Sequence, residues 1–351
     1  MTQKDYILSA YGLDAASELK PLGNGLINST YLVTTPEGKR YVLQHINTNV
    51  FPDVDALQDN IERVTAHLRH KLAERGVEGI DRRCLRFVPN ITDGKTYVAI
   101  NNEGTTEYWR LMDYIADSVT CETVTPESAE AAGRAFGDFQ SMLADMKPLP
   151  VETIKDFHNM EFRLGQLDEA IANDPVGRLE GVRDLVDEIM SQRELACTVE
   201  RLQRDGRLPV RVCHCDTKVS NMLFDREGDV LCVIDLDTVM PGSILSDYGD
   251  FLRTAGNTAP EDEPDLGRIS INQSVVEAFT RGYLSTAGAF LTDTERSLLP
   301  HGQFRFAYMQ AVRFLSDYLN GDTYFRINYP DHNLVRARAQ WRLAQLAMNN
   351  K

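Results

Sequence analysis

Polar residues able to do chemistry gather in one short segment of the chain, residues 214–237. The segment begins HCDTKVSN and continues into an apolar run that ends in the letters IDLD. Phosphoryl transfer needs a carboxylate that orients and deprotonates the acceptor hydroxyl, and oxygen ligands that hold Mg²⁺ on the phosphates. Asp216 suits the first task, and Asn221 and Asp235 suit the second because Mg²⁺ prefers hard oxygen ligands. Lys218 adds a positive charge beside the carboxylate, within reach of a transferring phosphoryl group.

The same segment contains the ligand types of a zinc site, namely Cys213, His214, Cys215 and the later Cys232. His214 stands between two cysteines, so in an extended segment its side chain points away from both. The six cysteines of the chain form no CxxC pair, which indicates reduced thiols rather than a disulfide or zinc framework. Zinc is therefore the weaker interpretation.

Composition excludes several classes of protein. The 351 residues are 42% hydrophobic and 25% charged, as expected of a globular chain with two domains or one large one. A formal charge of -15 without a basic run argues against nucleic acid as a partner. No apolar run reaches about 18 residues and the first residues lack a basic flank, so we expect a cytoplasmic protein without a membrane partner. The acidic run at 261–265 is predicted to be a solvated loop, with a lid that attracts a cationic substrate as the alternative.

Two patterns divide the chain into a lobe at 1–115 and a lobe at 116–351. The first lobe reads as strands around one amphipathic helix, with the strands at 19–35, 40–46, 96–100 and 107–115 and the helix from Val54 to near Gly76. The second reads as helices near 126–146, 156–172, 177–204, 269–287, 292–320 and 330–349, interrupted only by the chemical segment. A small sheet lobe before a larger helical lobe leaves a cleft, where ligands commonly bind.

The first lobe offers a weak but consistent nucleotide site. The run Gly23-Asn24-Gly25 falls in the first strand connection, where a glycine loop that covers phosphates belongs. The absence of GxxxxGK[ST] from the sequence excludes a Walker-type enzyme. The next strand has Gln44 where kinases carry a lysine, and Gln can donate a hydrogen bond but brings no charge. The helix carries a stripe of carboxylates with no lysine to pair, so we expect the stripe to be solvated: Asp55, Asp59 and Glu62.

Taken together, HCDTKVSN, VIDLD and DYGD resemble the aminoglycoside phosphotransferase and choline kinase superfamily. The stretches GLINSTYLV, YVLQHINTNVF and VRFLSDYLNGDTYFRINYPDHNLVRAR are similar to N-acetylhexosamine 1-kinases and their relatives. The resemblance implies an α+β, protein-kinase-like two-lobed fold that uses ATP and Mg²⁺ to phosphorylate the anomeric hydroxyl of GlcNAc or GalNAc. It also implies that Asp250 anchors the catalytic loop, whereas Asp247 is expected to cap the following helix.

Sugar recognition asks for planar hydrogen-bond donors and an aromatic platform. Arg313 and Tyr324 offer these on either side of an Asn-Gly-Asp turn, and the resemblance assigns them to the substrate. Basic residues near the expected acceptor site, Arg313, Lys218 and Arg326, favour a neutral or anionic acceptor. Two alternatives stay open: another kinase of this scaffold that acts on an aminoglycoside, choline or homoserine, and an inactive pseudokinase. A sulfatase is excluded because no cysteine begins the motif CxPxR.

Overall fold

The computed structural model describes residues 2–23, 27–102, 104–121 and 123–349. Its first part is a five-stranded antiparallel sheet in the order β1-β2-β3-β5-β4. The strands are β1 Glu18–Pro21, β2 Ser29–Thr34, β3 Arg40–Ile46, β4 Tyr97–Asn102 and β5 Thr105–Asp113. Three helices accompany them: α1 Gln3–Ala10, α2 Val54–Glu74 and the short α3 Ile80–Arg83. The predicted strand 19–35 is therefore two strands with a loop between them.

The two faces of this sheet have different neighbours because side chains alternate along each strand. One face buries Leu43 and Leu111 against Leu8 of α1, and the partly buried Trp109 joins this cluster. The opposite face packs against the apolar stripe of α2, which runs from Val54 to Leu72 as its three- and four-residue spacing predicts. Asp53 begins α2 by accepting a hydrogen bond from the backbone N–H of Ala56. Side chains of even number on β3 and β5 thus point toward α2 and the second lobe.

The second part of the chain is mostly helical. Its helices are α4 Pro126–Leu143, α5 Met160–Asn173, α6 Arg183–Met190, α7 Arg193–Ala196, α8 Thr198–Arg204, α9 Ile244–Ala255, α10 Gln273–Ala287, α11 Asp293–Leu319 and α12 His332–Asn349. α11 is the central helix and packs between α9 and α12. α10 lies against α4 at close range: a Cβ atom on Gly282 would stand 2.1 Å from the carbonyl oxygen of Glu130. Any larger residue at position 282 would clash with the backbone of α4, so glycine is required there.

Short strands interrupt the helices where the sequence predicted the chemical segment. β6 Arg211–Cys213 pairs with β9 Met240–Gly242, and β7 Met222–Phe224 pairs with β8 Val230–Val233. These two ribbons bring the loop after β6 and the end of β8 side by side. The residues between 214 and 237 are thereby gathered on one surface that faces the sheet lobe.

The helices of the structure differ from the predicted ones in two notable places. The helix expected over 177–204 is broken into a 3₁₀ turn and three short helices, and α1 was not predicted at all. The hydroxyls of Ser191 and Thr198 donate to the carbonyl oxygens three residues earlier, at 2.6 and 2.7 Å. Such local bonds compete with the helical ladder, which accounts for the breaks. No helix among the described residues is long and apolar enough to cross a membrane.

The acidic segment 261–265 is a loop, as predicted, and it is partly solvated: Pro264 and Asp265 are exposed, whereas Glu263 is buried. Glu261 pairs with Arg253 at 2.8 Å, and Asp262 accepts from the Nε2 atom of His332 at 3.1 Å. Glu263 is buried and pairs with Arg268 at 3.3 Å. The basic partners come from α9, from the turn after the segment and from α12, and only His332, 70 residues from Asp262, lies too far along the chain for sequence spacing to reveal it.

Candidate active site

Asp247, at the beginning of α9, anchors the loop that carries Asp216. Its Oδ2 atom accepts from the backbone N–H of His214 and its Oδ1 atom from that of Cys215, both at 2.8 Å. Gln140 of α4 donates to Oδ2 at 2.8 Å. Cys215 has a φ of +63°, a strained value for a side chain of this kind, and the anchor holds it there. Burial raises the pKa of Asp247 above its ordinary value.

This assignment corrects the roles predicted for α9. Asp247 is the anchor, and the cap of the helix is Ser243, whose hydroxyl accepts from the backbone N–H of Leu245. Asp250, the expected anchor, instead binds the guanidinium of Arg253 through Nε at 3.2 Å and Nη2 at 3.0 Å. Burial raises the pKa of Asp250, and Arg253 opposes that shift.

His214 joins the catalytic loop to the end of β8. Its Nε2 atom donates to the carbonyl oxygen of Ile234 at 2.9 Å, and its Nδ1 atom faces the backbone N–H of Asp216 at 3.3 Å. The two contacts together require a neutral ring with the proton on Nε2, which leaves neither nitrogen for a metal. The zinc interpretation is therefore wrong. In the described parts of the chain, no group of three or more His, Cys, Asp or Glu side chains is placed to hold a metal ion.

The predicted catalytic residues meet at Asp216. Lys218 places its Nζ atom 2.9 Å from Oδ2 of Asp216. Asn221 donates through Nδ2 to the same oxygen at 2.9 Å and to the Asp216 carbonyl at 2.8 Å. Burial alone would lower the pKa of Lys218, but the adjacent Asp216 carboxylate raises it above the ordinary value. The lysine is thus cationic at neutral pH, and the carboxylate is fixed from two sides.

Asp235 lies two residues after the end of β8 in a left-handed conformation, with a φ of +62° that aspartate tolerates better than most residues. The backbone N–H of Ile234 donates to the carbonyl oxygen of Asn221 at 2.9 Å, so the two predicted metal ligands are neighbours. Asp235 is exposed, but partial desolvation by the surrounding protein, with Asp237 and Asp216 nearby, raises the pKa of its carboxyl to about 6. Crowded oxygen donors of this kind fit a divalent cation.

The nucleotide residues predicted in the first lobe have a mixed outcome. Gly23 adopts a φ of +71°, a conformation that favours glycine, whereas Asn24 and Gly25 lie outside the described residues. Gln44 engages its amide with protein groups: Oε1 accepts from Arg110, and Nε2 donates to the hydroxyl of Thr30 at 3.0 Å. Its binding of nucleotide stays a prediction.

Arg110 of β5 is a residue that the sequence interpretation missed. It is 1% exposed and stands opposite Gln44 in the sheet register. Its Nε and Nη2 atoms donate to Oε1 of Gln44 at 3.0 and 2.8 Å, and Nη1 donates to Oε1 of Gln58 at 3.1 Å. Nη2 also lies 2.6 Å from Oδ1 of Asp237. The sequence feature that could have revealed Arg110 is its position as the one arginine inside the otherwise apolar and aromatic stretch YWRLM.

The partner that α2 offers to Arg110 is therefore Gln58 rather than one of the three predicted carboxylates. Asp55 pairs with Lys95 at 2.9 Å and Asp59 with Arg63 at 3.4 Å, and both carboxylates are largely exposed, as expected. The third member of the stripe, Glu62, accepts a hydrogen bond from the hydroxyl of Thr96. Trp109 likewise packs on the outer face of the sheet, away from the cleft.

Arg313 of α11 lies among aromatic rings. Its guanidinium carbon is 5.6 Å from the centre of the Phe157 ring, 5.9 Å from that of Tyr324 and 5.2 Å from that of Phe325. Phe157 also packs against the buried cluster of Cys213, Cys215 and Met240, which includes the residue before Asp216. The two predicted substrate residues, Arg313 and Tyr324, are thus together and next to the catalytic loop, and Tyr324 is 69% exposed.

A second arginine, Arg163 of α5, lies beside Arg313 and was not found from the sequence because nothing in its helix marks it. It donates to the carbonyl oxygen of Phe157 through Nε and Nη2, at 3.2 and 2.9 Å, and to Gln166 at 2.9 Å. Burial, with Arg313 nearby, lowers the pKa of Arg163 to about 10. Arg313 itself donates to Gln310 at 3.3 Å. Within the described residues, neither guanidinium pairs with a carboxylate.

Asp317 holds the segment that carries Tyr324. Its Oδ1 atom accepts from the backbone N–H groups of Thr323 and Tyr324, at 2.9 and 2.8 Å, and its Oδ2 atom accepts from that of Phe325 at 2.9 Å. The side-chain amide of Asn333 donates to Oδ2 at 2.9 Å. One buried carboxylate therefore fixes three successive residues of this segment.

Comparisons with known proteins agree with this architecture. Residues 18–292 match the family APH, described as the phosphotransferase enzyme family. An aminoglycoside phosphotransferase from Alicyclobacillus acidocaldarius is similar with a TM-score of 0.62 and 14% identity, over 99% of this chain and 95% of that chain. A microcompartment-associated aminopropanol kinase gives 0.61 and 16%, over 98% and 95%. An amicoumacin kinase, solved with AMP-PNP and Ca²⁺, gives 0.57 and 15%, over 93% and 88%. The predicted α+β, protein-kinase-like fold is thereby confirmed.

Proposed function

The chain belongs to the APH phosphotransferase enzyme family, and we propose that it transfers the terminal phosphoryl group of ATP to a hydroxyl of a small sugar. The observation that carries this proposal is the convergence of Asp216, Lys218 and Asn221 at one carboxylate, with Asp235 beside them. The nucleotide would bind in the cleft between the lobes at 1–115 and 116–351. An inactive pseudokinase is disfavoured because Asp216, Lys218 and Asn221 are present and in contact with one another.

In this proposal Asp216 is the group that takes the proton of the acceptor hydroxyl. Lys218 and Asn221 both bind its Oδ2 atom, so the second oxygen, Oδ1, is directed by two fixed contacts. Because the base is already held in one orientation, the reaction does not carry the entropic cost of ordering its side chain. The ammonium group of Lys218 would also stabilise the negative charge that develops on the phosphoryl oxygens during transfer.

Mg²⁺ would neutralise charge on the nucleotide phosphates, with Asp235 and Asn221 as its protein ligands. Asn221 uses its Nδ2 atom on Asp216, which leaves the carbonyl oxygen Oδ1 as the atom that suits a metal. The raised pKa of Asp235, about 6, shows how unfavourable its charge is without a bound cation. A divalent cation removes that cost.

For the acceptor, we propose an N-acetylhexosamine, GlcNAc or GalNAc, phosphorylated on its anomeric hydroxyl to the sugar 1-phosphate. Arg313 and Tyr324 support this choice, because a guanidinium binds hydroxyl and carbonyl oxygens while an exposed ring covers the apolar face of a sugar. Arg163 and Arg313, without carboxylate partners, make the pocket unfavourable for an ammonium group. A cationic amino alcohol is the second candidate, supported by the net charge of -15 and by the amine substrates named for similar structures.

A panel assay separates the two candidates. ATP consumption would be measured with GlcNAc, GalNAc, aminopropanol, ethanolamine, choline and an aminoglycoside, and the product identified by coupling between phosphorus and the anomeric carbon in NMR spectra. The methyl glycoside of the preferred sugar is the control, because it lacks the nucleophilic hydroxyl and keeps the other contacts. We expect turnover of the free sugar alone. Turnover of the amines, or phosphorylation of the methyl glycoside, would contradict the sugar 1-kinase proposal.

A further inference from the structure

The first lobe has no lysine at the β3 position where kinases place one, and Arg110 occupies the centre of the same region. The Arg110 side chain contacts three separate elements: Gln44 on β3, Gln58 on α2 and Asp237 after β8. Asp237 is also the acceptor for Nδ2 of Asn28 at 2.6 Å. A single buried network therefore joins the sheet, the helix and the segment that carries Asp235.

Asn28 extends this network to the nucleotide side of the cleft. It lies between the glycine-bearing connection and β2, and its Oδ1 atom accepts from the backbone N–H of Asn47 at 2.9 Å. Asp237 is two residues after Asp235 and shares its 3₁₀ turn. The Arg110–Asp237 pair, together with Asn28, thus joins the segment before β2 to the 3₁₀ turn that follows Asp235.

Both members of the pair are almost fully enclosed, with side chains 2% and 4% exposed. A buried ion pair is weak support for stability, because the loss of hydration offsets most of the attraction. Removal of one partner is costly, however, since the other charge is left buried and unpaired. The hydrogen bonds from Arg110 to Gln44 and Gln58, and from Asn28 to Asp237, restrict the members of this network to one arrangement. The network therefore serves to hold the joined segments at fixed positions rather than to add stability.

We propose that Arg110 is the positioning residue of the nucleotide site and acts through Asp237 and Asn28. It sets the distance between the segment after the glycine-bearing connection and the segment of Asp235, so that Mg²⁺ and nucleotide bind to a preformed cleft. Arg110 does not touch the nucleotide itself, because its donors are directed to Gln44, Gln58 and Asp237. This inference rests on the proposed function, since it assumes that a nucleotide binds there.

The test compares Arg110→Gln and Asp237→Asn with the double variant that carries both changes. The double variant contains no buried unpaired charge, so its thermal stability should return toward that of the unchanged protein. Binding of AMP-PNP with Mg²⁺ would be measured by calorimetry, which needs no turnover. Arg86→Gln is the matched control. Arg86 forms an exposed ion pair with Asp113, which lies on β5, the strand that also carries Arg110.

We expect the double variant to regain stability and yet bind AMP-PNP with Mg²⁺ at least about tenfold more weakly, as loss of an ordered site predicts. The KM of the acceptor should change by less than about twofold, a split that general destabilisation does not produce. Recovery of nucleotide binding together with stability would overturn the inference. If the double variant does not fold, Asn28→Ala decides, because it leaves the ion pair intact: unchanged nucleotide binding rejects the inference and weakened binding supports it. Failure of the unchanged protein to bind AMP-PNP would reject the proposed function itself.

Discussion

Replacing Asp317 is predicted to weaken binding of the acceptor, and the size of the effect can be worked out from the hydrogen bonds that its carboxylate accepts. It accepts four hydrogen bonds, two on each oxygen, from three backbone N–H groups and from Asn333. In Asp317→Asn the side chain keeps its shape, but only one of its two terminal atoms can accept. Whichever way the amide turns, two donors face an NH₂ group and lose their acceptor.

The size of the effect follows from that count. A fully buried donor left without an acceptor costs about 1–3 kcal/mol, and because the backbone donors here are only partly buried, losing two acceptors costs about 2 kcal/mol. The cost falls on residues 323–325, because those backbone groups lose their fixed positions while α11 is retained. Tyr324 then spends part of its time away from Arg313. We expect the KM of the acceptor to rise at least about tenfold, because binding must restore the lost order.

Steady-state kinetics with each substrate varied in turn would measure this effect, beside thermal unfolding of both proteins. The KM of ATP should stay within about twofold, since none of the described residues proposed to bind nucleotide contacts this segment. Asp293→Asn is the matched control on the same helix, where an exposed first-turn carboxylate is worth less than about 1 kcal/mol. A destabilised Asp317→Asn protein with an unchanged acceptor KM would refute the assigned link between the segment and the acceptor.

Three further outcomes are expected. Asp216→Asn should lower kcat by roughly 100- to 10,000-fold with AMP-PNP binding retained in calorimetry, because it removes the proton acceptor and keeps the shape; a rate above about a tenth of the original would exclude this role. Binding of Mg²⁺ with AMP-PNP should weaken as pH falls through about 6, where Asp235 gains a proton and loses its charge; the pH dependence should lessen in Asp235→Asn, and an identical profile in that variant would exclude Asp235 as the titrating group. Gly282→Ala should lower the free energy of unfolding by more than about 2 kcal/mol, because its Cβ would stand 2.1 Å from the Glu130 carbonyl oxygen; Gly165→Ala, with open space around it, is the control and should be neutral or slightly stabilising in denaturant unfolding.

The catalytic cluster was predictable from the sequence because its geometry is local. Asp216, Lys218 and Asn221 lie within one short loop, and the β7–β8 ribbon returns the chain to Asp235 directly beside them. Spacing along the chain therefore determines distance in space. The same reasoning explains α2, whose apolar residues recur at helical intervals and are all buried on one side.

Roles that depend on the rotation of a helix or on a distant partner could not be predicted in this way. Asp247 and Asp250 are three residues apart on α9, about one turn, and only the packing of α9 decides which carboxylate faces the loop. Arg110 and Asp237 belong to different lobes, and the sequence contains no pattern that pairs them. The acidic segment 261–265 is a further case, because its partner His332 begins the last helix.

The position of the buried arginine also determines which cation is available to the nucleotide. Arg110 is 1% exposed and its charge is balanced at 2.6 Å by Asp237, so it contributes little net potential at the cleft. Lys218 has a side chain 39% exposed and one ion-pair partner, Asp216, and the carboxylates of Asp216, Asp235 and Asp250 raise its pKa above the ordinary value. A flexible ammonium group of this kind can leave Asp216 for a phosphate oxygen without exposing an unpaired buried charge. We infer that positioning and charge, which one strand lysine combines in other kinases, are divided here between Arg110 and Lys218.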